Sequence, residues 1–355
     1  METKTAEFGT REKSAQTGGL RVVAIGGGTG LSTLLKGLKR YVLSPTETAS
    51  SQPSTPVIRD LCAVVTVSDD GGSSGRLRKE LNMLPPGDIR NCIVALSEDE
   101  ALLSKLFRHR FDKGSGLEGH SFGNLFLAAL TSLTSDFSEA VRLSSEILLT
   151  RGHIYPATTS NVELEALMED GTRVRGETKI TAHKGRIREL CLIPPNVNPM
   201  PQTRDAIANA DMITLGPGSL FTSLIPNLLV HGISEAIVDS PATKVYICNL
   251  MTQANESLGL SASEHIQALN RHAQGQIFDY ALINRTPASS ELKAKYELEG
   301  ACQIVNDLEA IEALGVIPLL GDYLEEAGVA RHNTARVARD LMQLAAHRPR
   351  RERAP

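Results

Sequence analysis

Two neighbouring carboxylates, Asp69 and Asp70, stand in a run of small residues, Ser68-Asp69-Asp70-Gly71-Gly72-Ser73-Ser74-Gly75, that closes on Arg76. Three chemistries suit that pattern. A carboxylate just past a strand can accept hydrogen bonds from ribose hydroxyls. Paired carboxylates beside a phosphate site can hold Mg²⁺. Asp followed by Gly is also ordinary turn chemistry. The small residues that follow, Gly72 and Ser73 among them, favour a ligand, because successive backbone N–H groups can form an anion nest to which Arg76 adds charge.

A second run, Ile25-Gly26-Gly27-Gly28-Thr29-Gly30-Leu31, follows the apolar segment Val22 to Ile25 and precedes an amphipathic one, Leu31 to Leu38. Strand, glycine turn and helix together make a phosphate seat, since the helix start offers free N–H groups and the positive end of its dipole. Gly27, Gly28, Thr29 and Gly30 are the candidate contacts. No Gly-Lys-Ser/Thr follows, which excludes a Walker A loop, and Leu31 stands where a dinucleotide fingerprint places its third glycine. Gly216-Pro217-Gly218-Ser219 opens another helix and supplies Gly216, Gly218 and Ser219 as candidates for a second such seat. Asp88 reads as the N-cap of its own helix, with Arg90 free to face a cleft. Ser121 reads as a cap beside His120 and Asn124, either of which could touch a ligand. Asn333 or Thr334 reads as the cap of the last helix, leaving Arg331 to meet a phosphate.

The elements that must position these residues follow from the apolar patterning. Strands are expected at about 21–26, Leu61 to Val67, Met212 to Leu215, Val245 to Asn249, Phe278 to Ile283 and Cys302 to Val305. Helices are expected after the first strand to about residue 42, from Leu220, from Ser263 and over 334–346, with two or three more over 87–150 around a Gly114 to Gly119 loop. Between about 154 and 193 the pattern alternates, as in Thr172 to Ile180, and predicts a small β-rich insertion. Strands alternating with helices predict a doubly wound, mostly parallel, Rossmann-like α/β sheet. The polar loops all leave the carboxyl ends of predicted strands, the edge where open α/β sheets place their ligand crevice. Residues 1–20 read as a disordered lead-in, Ser44 to Thr55 as an exposed loop, and 347–355 as a solvated basic tail.

Composition bounds the function. Of 355 residues 41% are hydrophobic and 22% charged, enough for a large core. A net charge of −4 gives no electrostatic case for nucleic acid, and 4% aromatics without Trp weakens any base-stacking surface. Cys62, Cys92, Cys191, Cys248 and Cys302 are scattered and form no C-x-x-C, which suits buried free thiols in a reducing cytosol. The first 19 residues lack the apolar core of a secretory signal, and no apolar run is long enough to span a membrane. No G-x-S-x-G, H-E-x-x-H or zinc-type histidine spacing occurs.

Six motifs taken in order resemble the YvcK branch of the CofD-like family. They are Gly26 to Gly30, Ser68 to Gly75, Pro86-Gly87-Asp88-Ile89-Arg90-Asn91, His120-Ser121-Phe122-Gly123-Asn124-Leu125, Gly216 to Leu220, and Asn249-Leu250-Met251-Thr252-Gln253. The resemblance runs from about residue 20 to about 346 and implies a single CofD-like α/β domain over 21–346. It implies a cytoplasmic gluconeogenesis factor, linked to cell shape and cell-wall precursor supply on gluconeogenic carbon, that binds UDP-sugars, UDP-N-acetylglucosamine in particular, or an NAD-like ligand. It implies contacts to the UDP-sugar from Tyr296 and Arg331, with Thr252 in the sixth motif also at the site. Before Tyr296 the family sequence is closer to Asn-x-Gly-x-Ile-Pro, where this chain has Asn284-Arg285-Thr286-Pro287-Ala288-Ser289. No cofactor is required on this reading, and a homo-oligomer is compatible with it. The CofD branch implies an alternative, a Mg²⁺-dependent 2-phospho-L-lactate transferase acting on a deazaflavin, with Asp69 and Asp70 on the metal.

Overall fold

The structure, a computed structural model, describes residues 19–43, 56–98, 100–183, 185–254 and 256–347. The lead-in over 1–18, the loop over 44–55 and the tail from 348 lie outside those residues.

The strands in chain order are β1 (Leu20–Gly26), β2 (Ile58–Val65), β3 (His153–Pro156), β4 (Glu163–Met168), β5 (Arg173–Arg175), β6 (Ile187–Ile193), β7 (Met212–Leu215), β8 (Thr243–Ile247), β9 (Tyr280–Asn284), β10 (Ile317–Gly321), β11 (Leu324–Glu326) and β12 (Ala330–His332). The helices are α1 (Gly28–Leu38), α2 (Gly72–Leu81), α3 (Gly87–Leu96), α4 (Glu100–Arg108), α5 (Phe122–Thr134), α6 (Phe137–Ile147), α7 (Glu177–Ala182), α8 (Pro201–Asn209), α9 (Ile225–Leu228), α10 (Ile233–Asp239), α11 (Ala262–His272), α12 (Ser290–Glu297), α13 (Leu308–Ala313) and α14 (Thr334–His347).

Seven strands form one sheet in the order β10-β9-β8-β7-β1-β2-β3, and every neighbouring pair is parallel. Both faces carry helices, so the inner strands are near-continuous apolar runs; Val22 to Ile25 and Leu61 to Val65 are all buried. The chain builds outward from β1 to β2 and β3, then returns to the other side of β1 for β7 to β10. The order therefore reverses between β1 and β7, the position where a doubly wound sheet opens a crevice at its carboxyl edge.

The insertion is smaller and more mixed than the alternation predicts. β3 is an edge strand of the main sheet, and only β4, β5 and β6 form the separate three-stranded antiparallel sheet. The Thr172 to Ile180 alternation stays extended only through Arg175. Gly176 then turns to φ 100, and α7 begins where Asp70 accepts hydrogen bonds from the Thr178 N–H (2.9 Å) and hydroxyl (2.6 Å). Four helices rather than two or three fill 87–150. Cys302 to Val305 is not a strand: the sheet position beyond β9 belongs to β10, and this segment bonds instead to the irregular 250–252 chain, with Thr252 N–H on the Cys302 carbonyl at 2.7 Å. Cys302 is accordingly exposed, while Cys62, Cys92 and Cys248 are buried, and no disulfide forms. Among the described residues no single helix is long and apolar enough to cross a membrane.

Candidate ligand-binding crevice

The two glycine turns at the switch point pack on each other. A Cβ on Gly30 would lie 2.1 Å from the Pro217 carbonyl oxygen and 3.1 Å from Gly218 Cα. Gly216, at φ 94, comes so close to β8 that a Cβ would sit 2.8 Å from the Ile247 carbonyl. Asn249, just past β8, clamps the same loop by accepting the Gly218 N–H (3.2 Å) and donating to the Gly218 carbonyl (2.8 Å). Gly27 lies against Ser223 and Thr66. These glycines are thus required by protein atoms as well as by any ligand. Thr29 is exposed at the rim.

Both helix starts expected to seat phosphate hold one of the chain's own carboxylates. Asp88 is the second residue inside α3, after an N-cap at Pro86. It does not cap its own helix; its carboxylate reaches across to the Gly28 N–H at the start of α1. Burial and the nearby Asp69 push its carboxyl up to about 6. Glu256 accepts the Phe221 (3.1 Å) and Thr222 (2.8 Å) N–H groups at the start of the π turn Leu220–Leu224 that leads into α9, and the Ser219 hydroxyl bonds to it too. Burial raises it to about 7 against the pull of those donors. Neither Glu256 nor Glu177 stood out in the sequence, because no motif spacing links them to the residues they meet.

The acid pair separates in the fold. Asp70 is held by Thr178 as the cap of α7, whereas Asp69 Oδ1 accepts the Gly71 N–H at 2.9 Å in a tight turn. Glu177 lies near the acids of the crevice; burial first, then Asp69 and Asp88, push it up to about 9. Three carboxyls, of Asp69, Asp88 and Glu177, therefore share one poorly hydrated region.

Beyond the acids, α2 and α5 carry a polar chain. Arg90 donates to the Ser121 hydroxyl (2.6 Å) and to Asn124 Oδ1 (2.9 Å). With its oxygen so engaged, Asn124 donates through Nδ2 to Ser73 Oγ (3.0 Å), which lies 2.9 Å from His120 Nδ1. The His120 ring is held below its ordinary value by burial and then by Arg76, which favours the neutral imidazole, and its Nδ1 pairs with the Ser73 hydroxyl. Ser121 caps α5 through the Asn124 N–H, as its position before the helix predicts. Asn124 is buried and positions Ser73.

Tyr296 and Arg331 lie on separate elements that are tied together. The Tyr296 hydroxyl, on α12, accepts the N–H of Ala330, the residue before Arg331 on β12. His332 Nε2 donates to the Cys248 carbonyl past β8 at 3.0 Å, which docks the β11–β12 hairpin on the carboxyl edge of the sheet. Arg331 is exposed there with no charge partner among the described residues. Asn333 caps α14 through the Arg336 N–H. Thr252 is buried, and its hydroxyl accepts the Cys302 N–H at 2.9 Å.

A family model for the 2-phospho-L-lactate transferase CofD matches residues 22–324. The chain belongs to the CofD-like family. Among its CofD-like relatives, the gluconeogenesis factor of Halalkalibacterium halodurans is 48% identical over 324 residues, covering 91% of this chain and 95% of the relative. The gluconeogenesis factor of Bacillus subtilis is 46% identical, covering 91% and 98%. The crystal structure of a UPF0052-family protein from Bacillus halodurans superposes with a TM-score of 0.84 at 46% identity, over 91% of this chain and 99% of that one. The chain thus falls in the YvcK-type, gluconeogenesis-factor branch of the CofD-like family, and the α/β sheet is the one that branch shares.

Proposed function

We infer that the crevice at the carboxyl edge binds a nucleotide sugar, UDP-N-acetylglucosamine, and that the chain is a cytoplasmic regulatory protein coupling that ligand to cell shape and cell-wall precursor supply on gluconeogenic carbon. The observation that carries this reading is Arg331, an exposed cation without a charge partner among the described residues, on a hairpin tied to Tyr296 and to the end of β8. A guanidinium so placed suits a diphosphate, and the tyrosine ring beside it suits a sugar or base. On this reading Gly27 to Gly30 and Gly216 to Ser219, whose turns pack on each other, wall the crevice, with Thr29 on the rim. Since Asp88 and Glu256 already hold the helix starts, the diphosphate is held chiefly by Arg331 rather than by those N–H groups.

Calorimetry with UDP-N-acetylglucosamine tests the reading. Arg331→Ala should weaken binding by about 1.5–3 kcal/mol, the worth of a hydrogen bond to a charged group. No binding by the wild-type chain would overturn it.

The three crowded carboxyls favour a second reading, the Mg²⁺-dependent phospholactate transferase, because a divalent cation would relieve their repulsion. Their arrangement fits poorly: among the described residues no three acidic, histidine or cysteine side chains are placed to ligate one ion, and Asp70 is held by Thr178. Product from a deazaflavin acceptor and a nucleotide donor, dependent on Mg²⁺, would establish this reading over the first.

A further inference from the structure

A cavity of about 680 Å³ opens at the start of α2, lined by Gly72, Ser73, Arg76, Arg110, Glu118 and Gly119 among others. It belongs to neither Tyr296 nor Arg331, and none of its lining residues comes from the β7 or β8 loops. Its two arginines are held in place by backbone carbonyls. Arg76 Nη2 donates to the Glu118 carbonyl at 2.6 Å, and Arg110 Nη1 to the Gly119 carbonyl at 2.5 Å. Each guanidinium has five N–H donors, so each keeps others for a ligand. Anchoring by one arm reduces the entropy lost when the others engage an anion.

The helix start beside them keeps free donors. α2 runs for ten residues; Asp69 takes the N–H of its N-cap, Gly71, at 2.9 Å, and among the described residues no side chain takes the Gly72 and Ser73 N–H groups that follow. Gly72 sits at φ 47 with nothing within 4 Å of where a Cβ would lie, so no protein atom crowds that side of the helix start. Glu118 is the one carboxylate of the lining, and its backbone is what holds Arg76. His120 beside the cavity is held below its ordinary value by burial first and then by Arg76, with Glu80 opposing and Arg110 adding a smaller push in the same direction as Arg76.

We propose that this cavity is a second anion subsite that takes the phosphate group of a small phosphorylated metabolite, held between the Arg76 and Arg110 guanidiniums and the open start of α2. Two forked cations and a row of N–H donors offer more hydrogen bonds than a planar carboxylate can accept, and a tetrahedral phosphate can accept them from several sides. The volume exceeds what a phosphate ion fills and leaves room for a sugar-sized body behind it. Arg331 is not among the residues that line it, so on this proposal its ligand and a nucleotide sugar bind through different cations.

Titration of the full chain with inorganic phosphate and with a hexose phosphate, read by calorimetry, tests the proposal, with UDP-N-acetylglucosamine titrated in parallel. The wild type should bind the phosphates, and the double variant Arg76→Ala, Arg110→Ala should lose about tenfold or more of that affinity while keeping nucleotide-sugar binding within about twofold. The double lysine variant, which keeps the charges but not the forks, should fall between the two and serves in place of the alanine variant if that does not fold. Phosphates that fail to bind at millimolar concentration, or bind both variants as tightly as the wild type, would overturn the subsite. Loss of phosphates and UDP-N-acetylglucosamine together would also overturn it, by making the cavity the seat of the nucleotide's own diphosphate. Failure of the nucleotide sugar alone would remove the proposed function and leave this subsite standing.

Discussion

Asp88 and Glu177 show how burial and like charge set the chemistry of single residues in this crevice. Both titrate above the ordinary values of 3.8 and 4.5, at about 6 and about 9. Their protonated forms are therefore favoured by the fold. The stability this contributes is fully present below about pH 4 and is lost as pH rises through about 6 for Asp88 and about 9 for Glu177. Thermal unfolding should follow that sign, with the melting temperature of the wild type falling between pH 5 and pH 9. Glu177→Gln should flatten the upper part of the decline and stabilise the chain at pH 9 by roughly 1–3 kcal/mol, a range already reduced for the side chain's partial exposure. Asp88→Asn should flatten the lower part, because an amide oxygen can still accept the Gly28 N–H without carrying charge. A melting temperature that rose with pH would contradict the assignment.

At the scale of elements, the glycine turns after β1 and β7 behave as one unit. Gly30→Ala would drive a Cβ into the Pro217 carbonyl. It should cost about 1–3 kcal/mol of stability by forcing two backbones apart, seen as a lower urea midpoint without ligand. A purely ligand-facing glycine would leave that midpoint unchanged. Asp70 joins two other elements, the loop after β2 and helix α7 of the insertion, through the Thr178 N–H and hydroxyl. Asp70→Ala should release α7, raising amide hydrogen exchange over 177–182 while β1, β2 and β7 keep their protection. Uniform loss of protection would show that the insertion is not a separable unit. Loss of those two bonds should cost about 1–3 kcal/mol.

At the scale of the molecule, the parallel sheet, its helical layers and the edge that carries the crevice were legible in the sequence. Continuous apolar runs such as Val22 to Ile25, short and bounded by turn residues, suit strands covered on both faces, and the polar loops that follow them fall on one edge. Local caps were legible for the same reason: Ser121 and Asn333 act on N–H groups three residues away. The chain by itself therefore determined fold class, family and the edge of the sheet that gathers the polar loops. What only the tertiary structure decided were the partners of residues far apart in sequence. Asp88 reached Gly28 instead of its own helix, Glu256 filled the turn after β7, Asp70 left Asp69 for Thr178, and Arg76 and Arg110 came to line one cavity. No local pattern records such meetings, because they are set by which strands lie side by side and by which buried polar group lacks another partner.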